Sequence, residues 1–481
     1  MGPVASLRRP LRVCTLLLVA LAPLANAETL AQRIDAQLAQ PRFAAASWGV
    51  AVISLDDGHT VYAHDAGRLL LPASTAKLYT AAYALAVLGP AYRTHTDALA
   101  AGTIEHGRLH GPMVLRGRGD PTLSGNAWAD DLAAQIKAHG IQRIDGGIVG
   151  DDTVFTGAPA GSGWEVSDLQ AAYGATAGPL VVDENTMVAA LAPGKVSVAP
   201  DDAAITLAEQ DAGNTELYRS PGSSTLHVLR KPNDIAPAQV KLSLPDPALT
   251  AARRLQSALE RIGIRVDAEA RSVHWPVPPP AATTVLASVA SPPLGDILRS
   301  GLKRSQNLYL QSVFLLTGLE STSTTAVQAA AHTEARAAAG LAAWLGTQGI
   351  GPSSTMMEEG TGLSRHDLTT ASSLVHLLAL MDASPQADLW RDLLPVAGVD
   401  GTLARRMRGT AAEGTVQAKT GSMSFVNAMA GYATTKSGQR LAFAILLNNY
   451  RPISHSAEPA ASASTEVDAI ATMLSEAKTH L

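Results

Sequence analysis

One cysteine in 481 residues, Cys14, leaves no possible intrachain disulfide and no Cys/His metal cluster. Histidines are scattered, and no His-Glu-x-x-His pair points to a zinc peptidase. No Gly-x-Ser-x-Gly elbow is present, which counts against an α/β-hydrolase. Gly117-Arg118-Gly119 lacks the lysine and helix that a phosphate-cradling loop needs. No metal and no cofactor is therefore expected. The chain also lacks a basic run and carries a formal charge of −5, which argues against a nucleic-acid partner. After residue 27 no stretch is long and apolar enough to cross a membrane, so at most peripheral membrane contact is expected. Aromatic residues are few and alanines many, within an ordinary globular composition, and no internal repeat is visible.

What is present begins with a targeting segment. Arg8, Arg9 and Arg12 form a basic region, Val13 to Leu24 an apolar core, and Ala25-Asn26-Ala27 a small-residue cleavage site. The apolar run is too short to span a bilayer. Residues 1–27 are expected to be a cleavable signal peptide and the mature product periplasmic. Cys14 has no lipobox-like context and leaves with the signal. Cleavage also removes three arginines, moving the formal charge from −5 to −8. About 454 residues remain, enough for two or more domains.

Hydrophobic patterning places hairpins near both ends of the mature chain. Residues 47–54 alternate toward apolar and β-branched types, Asp56-Asp57-Gly58 reads as a turn, and residues 60–64 return. Residues 427–434, the turn Lys436-Ser437-Gly438 and residues 440–448 read as a second hairpin. A last helix over 465–478 buries Val467, Ile470, Ala471 and Leu474. One α/β domain joining both ends of the chain is predicted, covered by helices between residues 294 and 380. From 92 to 274 the text changes to glycine-punctuated short strands, interrupted by one helix over 246–262. Pro276 and Pro278 to Pro280 mark a linker back.

The stretch Leu71-Pro72-Ala73-Ser74-Thr75-Ala76-Lys77-Leu78 carries the chemistry. Pro72 suits a first helical turn, Leu78, Ala81, Ala82, Leu85 and Leu88 make one stripe, and Gly89-Pro90 supply a stop. Ser74 and Lys77 then lie one turn apart on one face. A serine hydroxyl is a weak nucleophile until a base takes its proton, and lysine is such a base when burial or a second cation lowers its pKa. Alone, the pair also reads as a cap serine followed by a surface lysine. Ser305-Gln306-Asn307 and Lys419-Thr420-Gly421-Ser422 weigh against that reading, although lysine–threonine–glycine by itself also reads as a hairpin edge.

In this order the three words resemble the signature of penicillin-recognising acyl-serine enzymes, with Gln306 where many members carry aspartate. Gly119-Asp120-Pro121-Thr122-Leu123, Gly150-Asp151-Asp152-Thr153, Gly360-Thr361-Gly362-Leu363-Ser364-Arg365 and the segment 394–403 narrow the likeness. From about Ala45 to Asn449 the chain resembles the S13 peptidases, D-alanyl-D-alanine carboxypeptidase/endopeptidases of the class C, low-molecular-mass penicillin-binding protein 4 type. Glu359-Gly360-Thr361 departs from the family's aspartate–glycine–serine.

The resemblance implies a multi-domain α/β fold. A serine β-lactamase/transpeptidase-like domain, an antiparallel sheet flanked by helices, would comprise 28–91 and 281–481. A β-rich region of two nested subdomains would be inserted over 92–280, since 231 positions separate Ser74 from Ser305. It also implies roles. Ser74 is the nucleophile, Lys77 its proton acceptor, and Lys419 the cation that holds the Lys77 pKa down. Ser305 relays a proton to the leaving amine, and Asn307 holds Lys77 and the substrate. The backbone N–H groups of Ser74 and Ser422 form the oxyanion hole. Thr420 and Ser422 bind the terminal carboxylate, and Gly421 permits close backbone approach. Arg365 would pair with a substrate carboxylate, and Asp151 or Asp152 with a diaminopimelate amine beside Met423. A capping aspartate or a buried ion pair is the alternative reading of each. His332 and Glu334, spaced wrongly for one helix face, read as solvated. The expected partners are peptidoglycan peptides ending in D-Ala-D-Ala or D-Ala-diaminopimelate crosslinks, with β-lactams as covalent inhibitors. A β-lactamase on the same fold would need a placed deacylating glutamate, and no Glu-x-x-x-Asn segment follows the middle motif. A non-hydrolytic peptidoglycan-binding protein would have no need of the nucleophile and both lysines.

Overall fold

The computed structural model describes residues 1–2, 28–192, 195–232, 236–320, 331–452 and 462–481; the expected signal peptide, apart from its first two residues, lies outside them. Both hairpins form, and they meet in one five-stranded antiparallel sheet. Its order is Thr60–His64, Ser47–Ser54, Arg440–Asn448, Val426–Thr434 and Val416–Met423. Strands from the two ends of the chain lie side by side, with Val50 opposite Ile445.

Side chains along a strand alternate between faces, and here the two faces differ in size. One face carries Val50, Val52, Met429, Phe443, Ile445 and Leu447, packed against Ile34, Val467, Ile470 and Leu474 of the terminal helices Leu30–Leu38 and Ala463–Glu476. The other carries Ala51, Ala428, Ala430, Ala442 and Ala444. Short side chains there let the helix Ala371–Asp382 close onto the sheet, with its Leu374 and Leu378 in one core with Leu78 of Lys77–Val87 and Phe314 of Asn307–Glu320. A sheet covered on both faces reads as a continuous apolar run, as residues 441–447 do.

The inserted region has its own apolar core. A five-stranded sheet of Arg271–His274, Ile148–Asp152, Met113–Arg116, His95–Ala100 and Thr284–Ala290 organises it. The last strand pairs with His95–Ala100, so the region extends ten residues beyond the return expected at Pro280. The expected helix is present as Pro247–Arg261. A second, Ala127–Ala138, accompanies it, with Trp128, Ala129, Leu132, Ala133 and Ile136 buried at helical spacing. The strands between Thr186 and Ser243 are nested within this unit and share its core.

Candidate active site

The helix that follows Ser74 does not begin as a regular α-helix. Ala73–Ala76 form a 3₁₀ turn that runs into Lys77–Val87, and Ala73 stands at φ +44°, a left-handed value costly for a residue with a Cβ. Two glycines crowd this turn. A Cβ on Gly362 would lie 1.9 Å from the Ala73 carbonyl oxygen, and one on Gly421 would lie 2.7 Å from the Pro72 oxygen and 3.0 Å from the Ser74 nitrogen. Backbone from two distant segments therefore packs directly on the turn that carries Ser74. The expected stripe faces the core at Leu78, Ala81, Ala82 and Leu85, but every residue from Lys77 to Leu85 is buried.

Lys77 Nζ lies 2.7 Å from each of three oxygens: Ser74 Oγ, Asn307 Oδ1 and the Thr361 carbonyl. The Asn307 amide is oriented by its Nδ2, which donates to the Tyr173 carbonyl at 2.8 Å. Asn307 Oδ1 and the Thr361 oxygen can only accept. A neutral amine that gives its two N–H groups to them is left with its lone pair facing the Ser74 hydroxyl. Burial pushes the Lys77 amine down to about 7, against the opposing pull of the Glu359 and Asp367 charges.

Lys419 lies on the edge strand Val416–Met423 and donates to Ser305 Oγ and the Thr420 carbonyl, both at 2.7 Å. Burial first, then the charges of Lys77 and Arg406, hold its amine well below the ordinary lysine value. This corrects the expected cause at Lys77: desolvation leads there, and the repulsion between the two amines is expressed at Lys419. Ser305, between two helices, takes φ +57°. Thr420 is buried and its hydroxyl meets that of Thr402 at 2.7 Å. Gln306 points away from the lysines and donates to Glu184.

A cavity of about 310 Å³ opens over these groups, lined by Ser74, Ser305, Asn307, Ser422, Met423 and Arg365. Three residues of the inserted region, Glu165, Asp168 and Tyr173, complete its wall. Arg365 donates to Glu165 at 3.0 Å, and the Tyr173 hydroxyl donates to Asp168 at 3.0 Å. No motif marked this wall in the sequence; only the folding of Val166–Gln170 and Ala172–Gly174 into two short 3₁₀ turns at the cleft identifies it.

Two readings of acids need correction. Asp151 is on a central strand, fully buried, accepting from Arg116 Nε at 2.8 Å and from the N–H and hydroxyl of Thr153. It is a structural ion pair and does not line the cleft. Asp152 meets His274 at 3.0 Å, and the hydrogen bonds of His274 with Asp152 first and Asp246 second raise the imidazole to about 10. Glu334 is half-buried. It lies in the first turn of the helix Thr333–Thr347 and accepts from Gln311 at 2.6 Å and from the Ser162 N–H at 3.1 Å. Burial, then the Glu359 charge, pushes its carboxyl up to about 7. Glu334, Asp152 and His274 line a separate cavity of about 450 Å³ with Trp275 and His332.

The model of the D-Ala-D-Ala carboxypeptidase 3 (S13) family matches residues 30–474. A D-alanyl-D-alanine carboxypeptidase of Actinomadura sp. (strain R39) is 34% identical over 446 residues, covering 88% of this chain and 81% of that protein. The D-alanyl-D-alanine carboxypeptidase DacB of Haemophilus influenzae is 26% identical over 417 residues, covering 82% and 84%. The fold is similar to the crystal structure of penicillin binding protein 4 from Haemophilus influenzae, with a TM-score of 0.75 at 24% identity over 89% of this chain and 95% of that one. With a match across nearly its whole length, this chain belongs to the D-Ala-D-Ala carboxypeptidase 3 (S13) family.

Proposed function

We propose that the D-Ala-D-Ala carboxypeptidase reaction of this family runs here through an ester on Ser74. The observation that carries the reading is the Lys77 amine, 2.7 Å from Ser74 Oγ with its other two contacts committed to acceptors. Lys77 takes the hydroxyl proton as Ser74 Oγ attacks the carbonyl of the penultimate D-alanine. The C–N bond breaks, and the terminal D-alanine leaves with a proton passed through Ser305, which Lys419 contacts at 2.7 Å. Water then attacks the ester and releases the shortened peptide. The backbone N–H groups of Ser74 and Ser422 take the oxyanion; losing one such donor typically costs about 10²–10³ in rate. Thr420 and Ser422 hydroxyls receive the terminal carboxylate, with Gly421 allowing the strand to lie against the nucleophile turn.

Substrate selection falls to the cavity wall. Arg365 there would pair with a carboxylate and Asp168, beside Glu165 and Met423, with an ammonium group, matching the two ends of a diaminopimelate side chain. The same pairing would let the enzyme cut D-Ala-diaminopimelate crosslinks, adding D,D-endopeptidase to carboxypeptidase activity. Covalent trapping by β-lactams follows from the same ester chemistry, in the periplasm after export. Among the described residues no helix is long and apolar enough to cross a membrane.

The test is a labelled penicillin. The mature protein should form a persistent adduct that Ser74→Ala abolishes, and an unlabelled wild type would overturn the reading. Rapid hydrolysis of the drug would point to a β-lactamase. Crosslinked and pentapeptide muropeptides separate monomer release from D-alanine release.

A further inference from the structure

Glu359 lies in the loop between the helix Thr333–Thr347 and the helix Ala371–Asp382, and it is 1% exposed. Its Oε1 accepts from the N–H groups of Gly362 at 2.5 Å and Leu363 at 3.0 Å and from the Thr361 hydroxyl at 3.1 Å. Its Oε2 accepts from the Thr361 N–H at 2.8 Å. One side chain therefore gathers the turn that presents the Thr361 carbonyl to Lys77 and presses Gly362 against Ala73. A carboxylate, with two oxygens and no proton, is the side chain suited to so many donors. From the other side the turn is pinned by Gln311, whose Oε1 accepts from the Gly360 N–H at 2.8 Å.

We propose that Glu359 is a positioning residue for acylation: its carboxylate gathers the turn that holds the Thr361 carbonyl on the Lys77 amine and sets a buried negative charge beside that amine. The inference rests on the assignment of Lys77 as proton acceptor to Ser74.

The charged surroundings are these. Lys77 faces the turn from the nucleophile helix, and Lys419 comes from the edge strand with Arg406 behind it. Asp367 lies on the same loop, buried, its Oδ1 accepting from the Glu358 N–H at 2.8 Å. Burial and the Glu359 charge push the Asp367 carboxyl well up. Glu334 stands beyond Gln311, itself raised by burial and by Glu359. Glu358, at the outer end of the loop, pairs with His366 and takes a hydrogen bond from the Ser162 hydroxyl. Of the acids acting on Lys77, Glu359 is the foremost, holding its proton on against desolvation. The sign follows. Removing the Glu359 charge leaves desolvation less opposed, so Lys77 loses its proton at lower pH.

The experiment measures the second-order rate of acylation by labelled penicillin against pH for the full mature enzyme, Glu359→Gln and Glu359→Asp, with thermal midpoints recorded alongside. In Glu359→Gln the rate falls at its plateau, and the acidic limb moves down by about 1 pH unit or more. Glu359→Asp keeps the charge with a shorter reach, so its plateau falls while its limb stays with the wild type. A merely structural role would lower the plateau of both variants and move neither limb. If Glu359→Gln is unstable at the assay temperature, its profile is read below its melting midpoint beside the wild type at the same temperature. An unmoved limb in folded Glu359→Gln overturns the proposal. A wild type that no penicillin acylates overturns the acyl-enzyme reading itself, before any variant is compared.

Discussion

Gly421→Ala is a sharp test of how closely the edge strand is held against the nucleophile. Gly421 has no left-handed φ, so alanine is acceptable to its backbone and any effect comes from contact alone. The added Cβ would lie 2.7 Å from the Pro72 oxygen, 3.0 Å from the Ser74 nitrogen and 3.1 Å from Ala73 Cβ. Ordinary van der Waals separation begins at 3.4 Å. The strand and the turn must therefore part by roughly 0.7 Å at the Pro72 oxygen, a displacement of the order that degrades reacting geometry. The strand cannot simply swing outward, because Val416 to Met423 are paired residue by residue with Val426 to Ala433. Nor can the turn relax freely, since Gly362 closes on Ala73 from the opposite side. A misplacement of about 1 Å can cost about 10² in rate, so acylation by penicillin should slow about 10- to 100-fold, or about 1.4–2.7 kcal/mol of barrier. Overpacking should also lower stability, by about 1–3 kcal/mol. The assay is the acylation rate at saturating and sub-saturating penicillin, on protein whose melting curve shows it folded at the assay temperature. A folded Gly421→Ala that acylates within threefold of the wild type would falsify the contact between strand and nucleophile turn.

Further outcomes are expected elsewhere. Wild-type acylation should fall about tenfold per pH unit below about 7, because only neutral Lys77 accepts the Ser74 proton; a flat rate between pH 5 and 8 contradicts the base assignment. Asp151→Asn should destabilise by about 2 kcal/mol through the orphaned Arg116 yet leave penicillin acylation unchanged, and a large loss of acylation would return Asp151 to the site. Asp168→Asn should spare penicillin acylation and weaken turnover of muropeptides with a free diaminopimelate amine, read as KM against kcat. Glu334 titrates near 4.5 unfolded and about 7 folded, so the folded state binds more protons between these values and stability falls as pH rises through that window. Glu334→Gln removes this term. Denaturation curves should show the variant gaining on the wild type by up to about 3 kcal/mol from pH 4.5 to 7 and no further above it; parallel pH dependences would show that Glu334 is not the titrating group.

Much of the molecule is written in short-range text. The hairpin at Ser47 to His64, the strands around Arg440 and the last helix follow from side-chain periodicity, which acts within a few residues. Ser74 and Lys77 were legible because one turn of helix brings them together wherever that helix lies. The helix Ala127–Ala138 was equally legible from its apolar spacing and was obscured by the glycine-rich text around it. Asp151 and Asp168 show where such text runs out. Both are aspartates of the inserted region, and no local pattern tells them apart. One falls on a strand flanked on both sides and must find an arginine, while the other falls on a short turn that opens on the cleft.

The sequence by itself determined which chemical groups are available, a serine, two lysines, an asparagine and a family likeness that names their reaction. The tertiary structure alone decided their state. In the proposed reaction Lys77 serves as base because burial strips its ammonium of water and because a carbonyl from Thr361 and an amide oriented by Tyr173 take up both its N–H groups. Thr361 lies 284 positions from Lys77 in the chain and Asn307 lies 230. Desolvation and lone-pair direction depend on what the fold packs around a group, and no window of neighbouring residues contains that information.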